Sequence, residues 1–128
     1  MKIEVSTAIE ELKRQFGTAS FNVQEDGQGG ARVVIEPVTI GPKYRPCDTW
    51  IGFQIPAQYP YADIYPVFIG ANVVRVDGKP IVAPVTLGPN FEGRPALQVS
   101  RRNSAAQSGL QKAPAKILKI LDFLENLE

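Results

Sequence analysis

The C-terminal segment from Pro114 onward constrains the fold more than any other stretch of this sequence. Apolar residues occupy most of its helical positions: Ile117, Leu118, Ile120, Leu121, Leu124 and Leu127. Only a narrow polar stripe remains, at Lys116, Lys119, Asp122 and Asn126. A helix that is apolar over so much of its circumference is buried on most sides. We therefore expect a helix that begins at Pro114 and is the main hydrophobic partner of a sheet.

The composition indicates one domain with a strand-rich middle. A length of 128 residues suits a single core, and we expect residues 1–128 to form one domain. Eleven prolines and eleven glycines predict many turns. The net charge of +1 argues against nucleic-acid binding, which needs a basic excess on one face. Because neither a membrane-spanning run nor a signal peptide is recognisable, we expect a cytoplasmic protein with no membrane partner.

The absence of histidine removes much acid–base and metal chemistry. Without histidine, neither a Ser-His-Asp triad nor a His-containing metal site can be built. The single cysteine, Cys47, excludes an internal disulfide and is too few for a cysteine zinc site. We therefore expect no metal and no cofactor. Cys47 is interpreted as structural, because only Lys43 and Arg45 lie near it in sequence to activate the thiol. A nucleophilic role is the alternative.

A helix and a run of antiparallel strands are predicted for the first half of the chain. Residues 7–16 form the predicted helix, with Thr7 and Glu10 as a capping box and Gly17 as its stop. The predicted strands span 21–24, 31–39, 50–55 and 67–69. Alternation places Val33 and Ile35 on one face of the second strand. We therefore expect an α+β fold with a four-stranded antiparallel meander.

Three connecting segments are also predicted. Residues 56–66 contain three tyrosines and three prolines, so Tyr59, Pro60 and Pro66 are interpreted as structural residues of a rigid connection. The dipeptide Asp77-Gly78 between two apolar runs predicts a β-hairpin over 73–82. Residues 103–109 are small and polar, which is typical of a flexible loop.

The segment between the strands and the last helix carries a resemblance. It reads Gly88-Pro89-Asn90 and then Gly93-Arg94-Pro95-Ala96-Leu97. This order resembles the ubiquitin-conjugating enzyme superfamily, in which a His-Pro-Asn turn precedes a Gly-x-x-Cys-Leu segment with the nucleophilic thiol. The resemblance covers almost the whole chain. It implies an N-terminal helix, the four-stranded meander, the hairpin as an insertion, an active-site arm and a C-terminal core helix.

The resemblance also implies a reaction and its residues. A cysteine thiolate would accept a ubiquitin-like protein from an activating enzyme and pass it to an amine of a protein substrate. Ala96 stands where that cysteine is expected, Asn90 would support the oxyanion or the loop, and Pro89 is structural. Arg101 and Arg102 follow this arm and would favour an acidic partner. A solvated loop is the alternative for the two arginines.

Ala96 cannot form a thioester, which leaves three interpretations open. The first is a conjugating enzyme of bacterial type, such as those of antiphage defence operons, in which alanine replaces the native cysteine. The second is a naturally noncatalytic variant or RWD-type adaptor that binds a ubiquitin-like protein or a conjugating enzyme. The third is an unrelated α+β protein with Cys47 as its only reactive group. Retention of Asn90 favours the first, because an inactive site has no chemical reason to keep an oxyanion donor.

Overall fold

The computed structural model describes residues 1–102 and 111–127, which form a sheet with two helices packed on one face. The elements follow one another as α1 (Ile3–Gln15), β1 (Ser20–Glu25), β2 (Ala31–Thr39), β3 (Tyr44–Arg45), β4 (Asp48–Ile55), β5 (Val67–Gly70), β6 (Val74–Arg75), β7 (Val85–Leu87), β8 (Ala96–Val99) and α2 (Ala113–Glu125). The prediction of an α+β fold with a helix at each end is confirmed.

The main sheet has six strands in the order β1-β2-β4-β5-β8-β7, and all neighbours are antiparallel. The four predicted strands lie side by side in it, in sequence order. Two further strands extend the sheet beyond β5, because β8 pairs with β5 and β7 pairs with β8. The segment that contains Ala96 is therefore a strand inside the sheet, between β5 and β7.

The sheet alternates between an inner face toward the helices and an outer face away from them. Val33 and Ile35 of β2 lie on one face, as predicted, and that face is the inner one, where they join one core cluster with Phe53 of β4. The helices contribute their own buried residues to this cluster: Val5, Ala8, Ile9 and Leu12 of α1, and Ala113, Ile117, Ile120 and Leu124 of α2. Each of the buried Val, Ile and Leu side chains among them stabilises the fold by about 1.5–3 kcal/mol.

The first helix begins one turn earlier than predicted, and the capping box at Thr7 and Glu10 is wrong. Thr7 lies inside α1, whose N-cap is Lys2, and no side chain caps the first turn. The extra turn is held by tertiary contacts instead. Val5 is buried in the core, and the backbone N–H of Lys2 donates to the carbonyl of Gly29 at 2.9 Å. Packing therefore overrides the local capping signal.

The predicted hairpin over 73–82 is wrong in its pairing. The turn at Asp77-Gly78 does form, and the Asp77 carboxylate accepts hydrogen bonds from the Lys79 backbone N–H and from Arg75. However, β6 pairs with β3 and not with the residues that follow the turn. Pro80 has no backbone N–H to donate, which disfavours a strand over 79–82.

The C-terminal helix starts at Ala113 and is buried on one side. The predicted polar stripe is wrong for Lys116, which is buried, and Leu118 is exposed. The last turn is held by two residues near β3. The Lys43 Nζ donates to the carbonyl of Leu127 at 2.8 Å, and the Tyr44 hydroxyl donates to the carbonyl of Leu124 at 2.5 Å. Leu124 lies in the last turn of α2 and Leu127 lies two residues beyond its end, so these bonds fix the C-terminal end of the helix beside β3.

The loop predicted over 103–109 lies outside the described residues. Within the described ranges, neither helix has the length and apolar character needed to cross a bilayer.

Candidate functional site

Residues 88–95 fold back over the outer face of the sheet. At the tip, the Phe91 N–H donates to the Arg94 carbonyl at 2.9 Å, and the Arg94 N–H donates to the Phe91 carbonyl at 3.0 Å. Glu92 has φ of 49° and Gly93 has φ of 76°. Positive φ at both central residues is the signature of a type I′ two-residue turn. We call this element the 91–94 hairpin.

The ring of Phe91 anchors the 91–94 hairpin to the sheet. It stacks on Phe68 with the centroids 4.9 Å apart and on Trp50 with the centroids 6.3 Å apart. A Cβ at Gly52 would lie 2.7 Å from this ring, so only glycine lets the ring approach the strand this closely. Together these residues form what we call the outer cluster: Val34, Trp50, Phe68, Phe91 and Ala96.

Charged side chains hold the edges of the hairpin. The Arg32 side chain forms an ion pair with Glu92. The Arg94 guanidinium lies 3.0 Å from the Glu36 carboxylate and 5.3 Å from the centre of the Trp50 ring. Arg32 and Glu36 alternate with inward-facing residues along β2, which places both on the outer face. Both pairs are partly exposed, so each contributes only about 0.2–1 kcal/mol.

Ala96 lies inside the outer cluster and is 1% exposed. It is the first residue of β8, where it pairs with Gly70 of β5, and its carbonyl accepts a hydrogen bond from Gly88. Its position is fixed by the sheet and covered by the 91–94 hairpin. A thiol at this position would have no access to a partner protein while the hairpin is closed.

The other residues of the arm do not converge on Ala96. Asn90 and Pro89 are exposed. The structure gives the Asn90 amide no hydrogen bond within residues 1–102 and 111–127. The amide thus faces solvent, whereas the Ala96 side chain faces the interior of the outer cluster.

Arg101 and Arg102 lie away from the outer cluster and rest on aromatic rings. The Arg101 guanidinium carbon lies 4.5 Å from the centre of the Phe123 ring, and that of Arg102 lies 3.9 Å from the centre of the Tyr65 ring. Both side chains are exposed, so their charge remains open to solvent. These cation–π contacts stabilise the strand exit by about 0.5–1 kcal/mol each.

The proline-rich connection 56–66 holds the start of α2. The Tyr59 hydroxyl accepts a hydrogen bond from the Ala113 N–H at 3.0 Å, and the Pro60 carbonyl accepts one from the Gln111 N–H at 2.7 Å. Burial raises the pKa of the Tyr59 hydroxyl, and the bond from Ala113 partly opposes this. Pro66 directly precedes β5.

A buried ion pair that was not predicted from the sequence joins this connection to α2. The Lys116 Nζ lies 3.1 Å from the Asp63 carboxylate and also donates to the Arg101 carbonyl at 2.8 Å. The pair joins α2 to the proline-rich segment and to the end of β8. The sequence carries little signal for this pair, because Lys116 falls with Lys119 and Asp122 in the predicted polar stripe of the helix.

Cys47 is exposed and precedes β4, with its carbonyl bonded to the Ile40 N–H at 2.8 Å. Among the described residues, no group of three or more Cys, Asp or Glu side chains could hold a metal ion. Comparison with family models, curated proteins and solved structures finds no match for this chain.

Proposed function

We propose that this chain is a noncatalytic binding module with a ubiquitin-conjugating-type fold, and that it binds a ubiquitin-like protein without accepting it as a thioester. The observation that carries this proposal is the burial of Ala96, 1% exposed, beneath the 91–94 hairpin. The order of helix, antiparallel strands, arm and C-terminal helix supports the choice of fold.

The environment of position 96 disfavours acyl transfer on physical grounds. A transferring cysteine must react as a thiolate, and apolar surroundings raise the pKa of a thiol. Position 96 is surrounded by the apolar side chains of the outer cluster. The Asn90 amide points to solvent and would not stabilise an oxyanion formed there. Both features favour the noncatalytic interpretation over a conjugating enzyme that has lost its cysteine.

Thiol labelling tests the closed state of position 96. The variant Ala96→Cys, made with Cys47→Ser, is treated with a maleimide under native conditions, and Cys47 in the unmodified chain serves as the exposed reference. We expect labelling at position 96 to be about tenfold slower or more, because it requires local opening. Adding Phe91→Ala should restore fast labelling. Equal rates at positions 96 and 47 would remove the main support for the proposal.

Thioester formation tests the competing enzyme hypothesis. The Ala96→Cys variant is mixed with ATP, an activating enzyme and a ubiquitin-like protein from the source organism, and the products are run on a non-reducing gel. We expect no reductant-sensitive adduct. An adduct would overturn the noncatalytic proposal in favour of a silenced conjugating enzyme.

Binding is measured separately, by titrating the labelled chain with the same ubiquitin-like protein and following amide chemical shifts. We expect saturable shifts on one contiguous surface. Their absence would contradict the binding function itself, whatever the chemistry at position 96.

A further inference from the structure

The two edges of the sheet differ in character. At one edge, β1 carries mainly polar side chains, and neither Phe21 nor Val23 is exposed. At the other edge, Leu87 of β7 is 79% exposed. Four of the large apolar residues that are exposed within the described ranges lie close together in sequence: Val74, Val76, Val82 and Leu87. An unprotected apolar edge of this kind is typical of an interaction site.

The backbone of β7 has groups free for pairing. The Gly88 N–H donates to the Ala96 carbonyl, and the Ser100 N–H donates to the Pro84 carbonyl. Thr86 lies midway between Pro84 and Gly88, opposite Gln98, so its own N–H and C=O also face β8. Because these positions alternate along an antiparallel strand, the N–H and C=O of Leu87 point to the open edge. An incoming strand could therefore bond to Leu87 without displacing any strand.

A groove of about 310 Å³ lies beside this edge. Its apolar lining comes from β6, β7, β8 and the segment between them: Val73, Val74, Ile81, Val85, Leu87 and Leu97. Side chains alternate across a strand, so a strand added to β7 would place every second side chain on the groove side. The groove would thus select apolar residues at alternate positions of the added strand.

The charge at the rim of the groove indicates the chemistry of the partner. Arg75 and Lys79 line the groove together with uncharged residues. The Arg75 guanidinium is neutralised by Asp77, at 2.8 Å. Lys79 forms no ion pair within residues 1–102 and 111–127, although its charge acts on Asp77 through space. One carboxylate thus faces two cations, Arg75 and Lys79, and the rim keeps a net positive charge. A second copy of this chain would present the same cationic rim, whereas a carboxylate on the partner would complement it.

We propose that β7 and the adjoining groove are the docking site for an extended segment of a partner protein, with apolar residues at alternate positions and an acidic residue that meets Lys79. The segment adds to the open edge as a seventh strand. This inference names a surface for the proposed binding module, but it does not require the partner to be a ubiquitin-like protein. β7 is short and lies between Pro84 and Pro89. The outward-facing N–H of Val85 already donates to the Val82 carbonyl at 3.1 Å, so pairing depends on Leu87 and the groove supplies most of the selectivity.

The test uses random ten-residue peptides displayed on phage and selected on the intact chain. We expect enriched sequences that alternate apolar with other residues and contain Asp or Glu. A synthetic peptide of the enriched sequence is then titrated into labelled protein. Amide shifts should concentrate in β7 and residues 73–81. No enrichment, basic sequences or shifts centred on another surface would each overturn the proposal.

Three variants test whether the peptide binds at β7 and the groove. Leu87→Ser should weaken peptide binding at least tenfold, and Lys79→Glu should weaken it for acidic peptides only. Ile3→Ser is the matched control, because Ile3 is 77% exposed but lies on α1. A peptide N-methylated at the amides that face Leu87 should lose binding, since those groups can no longer pair. Unchanged affinity for the N-methylated peptide would show that no strand is added.

The outcomes separate the two proposals. If the peptide binds at β7 and the ubiquitin-like protein does not bind at all, this inference stands and the proposed function fails. If the ubiquitin-like protein binds at a surface other than β7 and no peptide is selected, the proposed function stands and this inference fails. A dimer that forms through β7 would be detected by sedimentation and abolished by Leu87→Ser. It would identify a second copy of the chain as the occupant and overturn the proposal that an acidic partner segment binds there.

Discussion

Replacing Phe91 with alanine tests whether one aromatic ring holds the 91–94 hairpin on the sheet. The ring is 8% exposed and stacks on Phe68 and Trp50. Truncation of a buried phenylalanine costs about 3–5 kcal/mol. Because the hairpin lies at the surface, water can occupy part of the vacated space. We therefore expect a loss near the lower limit, about 3 kcal/mol of unfolding free energy.

The ion pairs of the hairpin should contribute less than the ring. The pairs formed by Arg32 with Glu92 and by Arg94 with Glu36 are both partly exposed. Together they supply about 0.4–2 kcal/mol at low salt, and less as salt screens them. Arg94→Ala should consequently cost clearly less than Phe91→Ala, although it also removes the contact with the Trp50 ring.

Equilibrium unfolding in guanidinium chloride measures these losses. Native-state amide exchange measures the free energy of local opening of the hairpin. The reporters are the N–H groups of Phe91 and Arg94, each of which donates to the carbonyl of the other residue. Leu118→Ala serves as the control, because Leu118 is also large and apolar but exposed. If Phe91→Ala costs less than about 1 kcal/mol, or no more than the control, burial of the ring is not what closes position 96.

Three further predictions concern other contacts. Gly52→Ala should cost about 1–3 kcal/mol, because its Cβ would lie 2.7 Å from the ring above it; unchanged stability in denaturant would contradict this. Arg75→Ala should raise the pKa of Asp77 from about 2 toward 3.8, followed by NMR titration of the carboxyl, and an unmoved midpoint would exclude Arg75 as the main cause. Because the folded pKa of Asp77 is depressed, its stabilising contribution is present above pH 3.8 and is lost as the pH falls toward 2. Lys116→Met should destabilise the fold by about 3 kcal/mol, since it removes the cation of a buried ion pair, whereas the exposed Lys119→Met should have little effect in the same thermal melt.

Local patterns were sufficient for the main elements of the fold. The apolar positions of the C-terminal segment predict α2, and alternation along the second strand correctly places Val33 and Ile35 on the same face. The proline-rich connection was also recognisable from its composition. These features depend on periodicity and on the restricted backbone of proline, which act over a few residues.

Pairing between distant segments was not predictable in the same way. The Asp77-Gly78 turn forms, yet β6 selects β3 as its partner, more than twenty residues earlier in the chain. The start of α1 likewise depends on burial of Val5 and on the bond from Lys2 to Gly29. The pairing of β6 and the start of α1 both depend on contacts between residues that are distant in sequence, which local propensities do not encode.

The candidate site shows the same division. Glycine at position 93 is a local turn signal, and the sequence marks the segment 88–100 as distinctive. The turn places the Phe91 ring against Gly52, which is distant in sequence. This contact exists only because the fold brings β4 beneath the hairpin. For this reason neither the role of the Phe91 ring nor the burial of Ala96 was predictable from the sequence.

The sequence by itself determined the class of fold, the two terminal helices, the central strands and the absence of histidine-based chemistry. The tertiary structure alone decided that Ala96 is buried, that Lys116 pairs with Asp63, and that β7 leaves an apolar edge open. The physical reason is that periodicity and turn chemistry act between near neighbours. Burial and strand pairing depend instead on residues that folding brings together from distant parts of the chain.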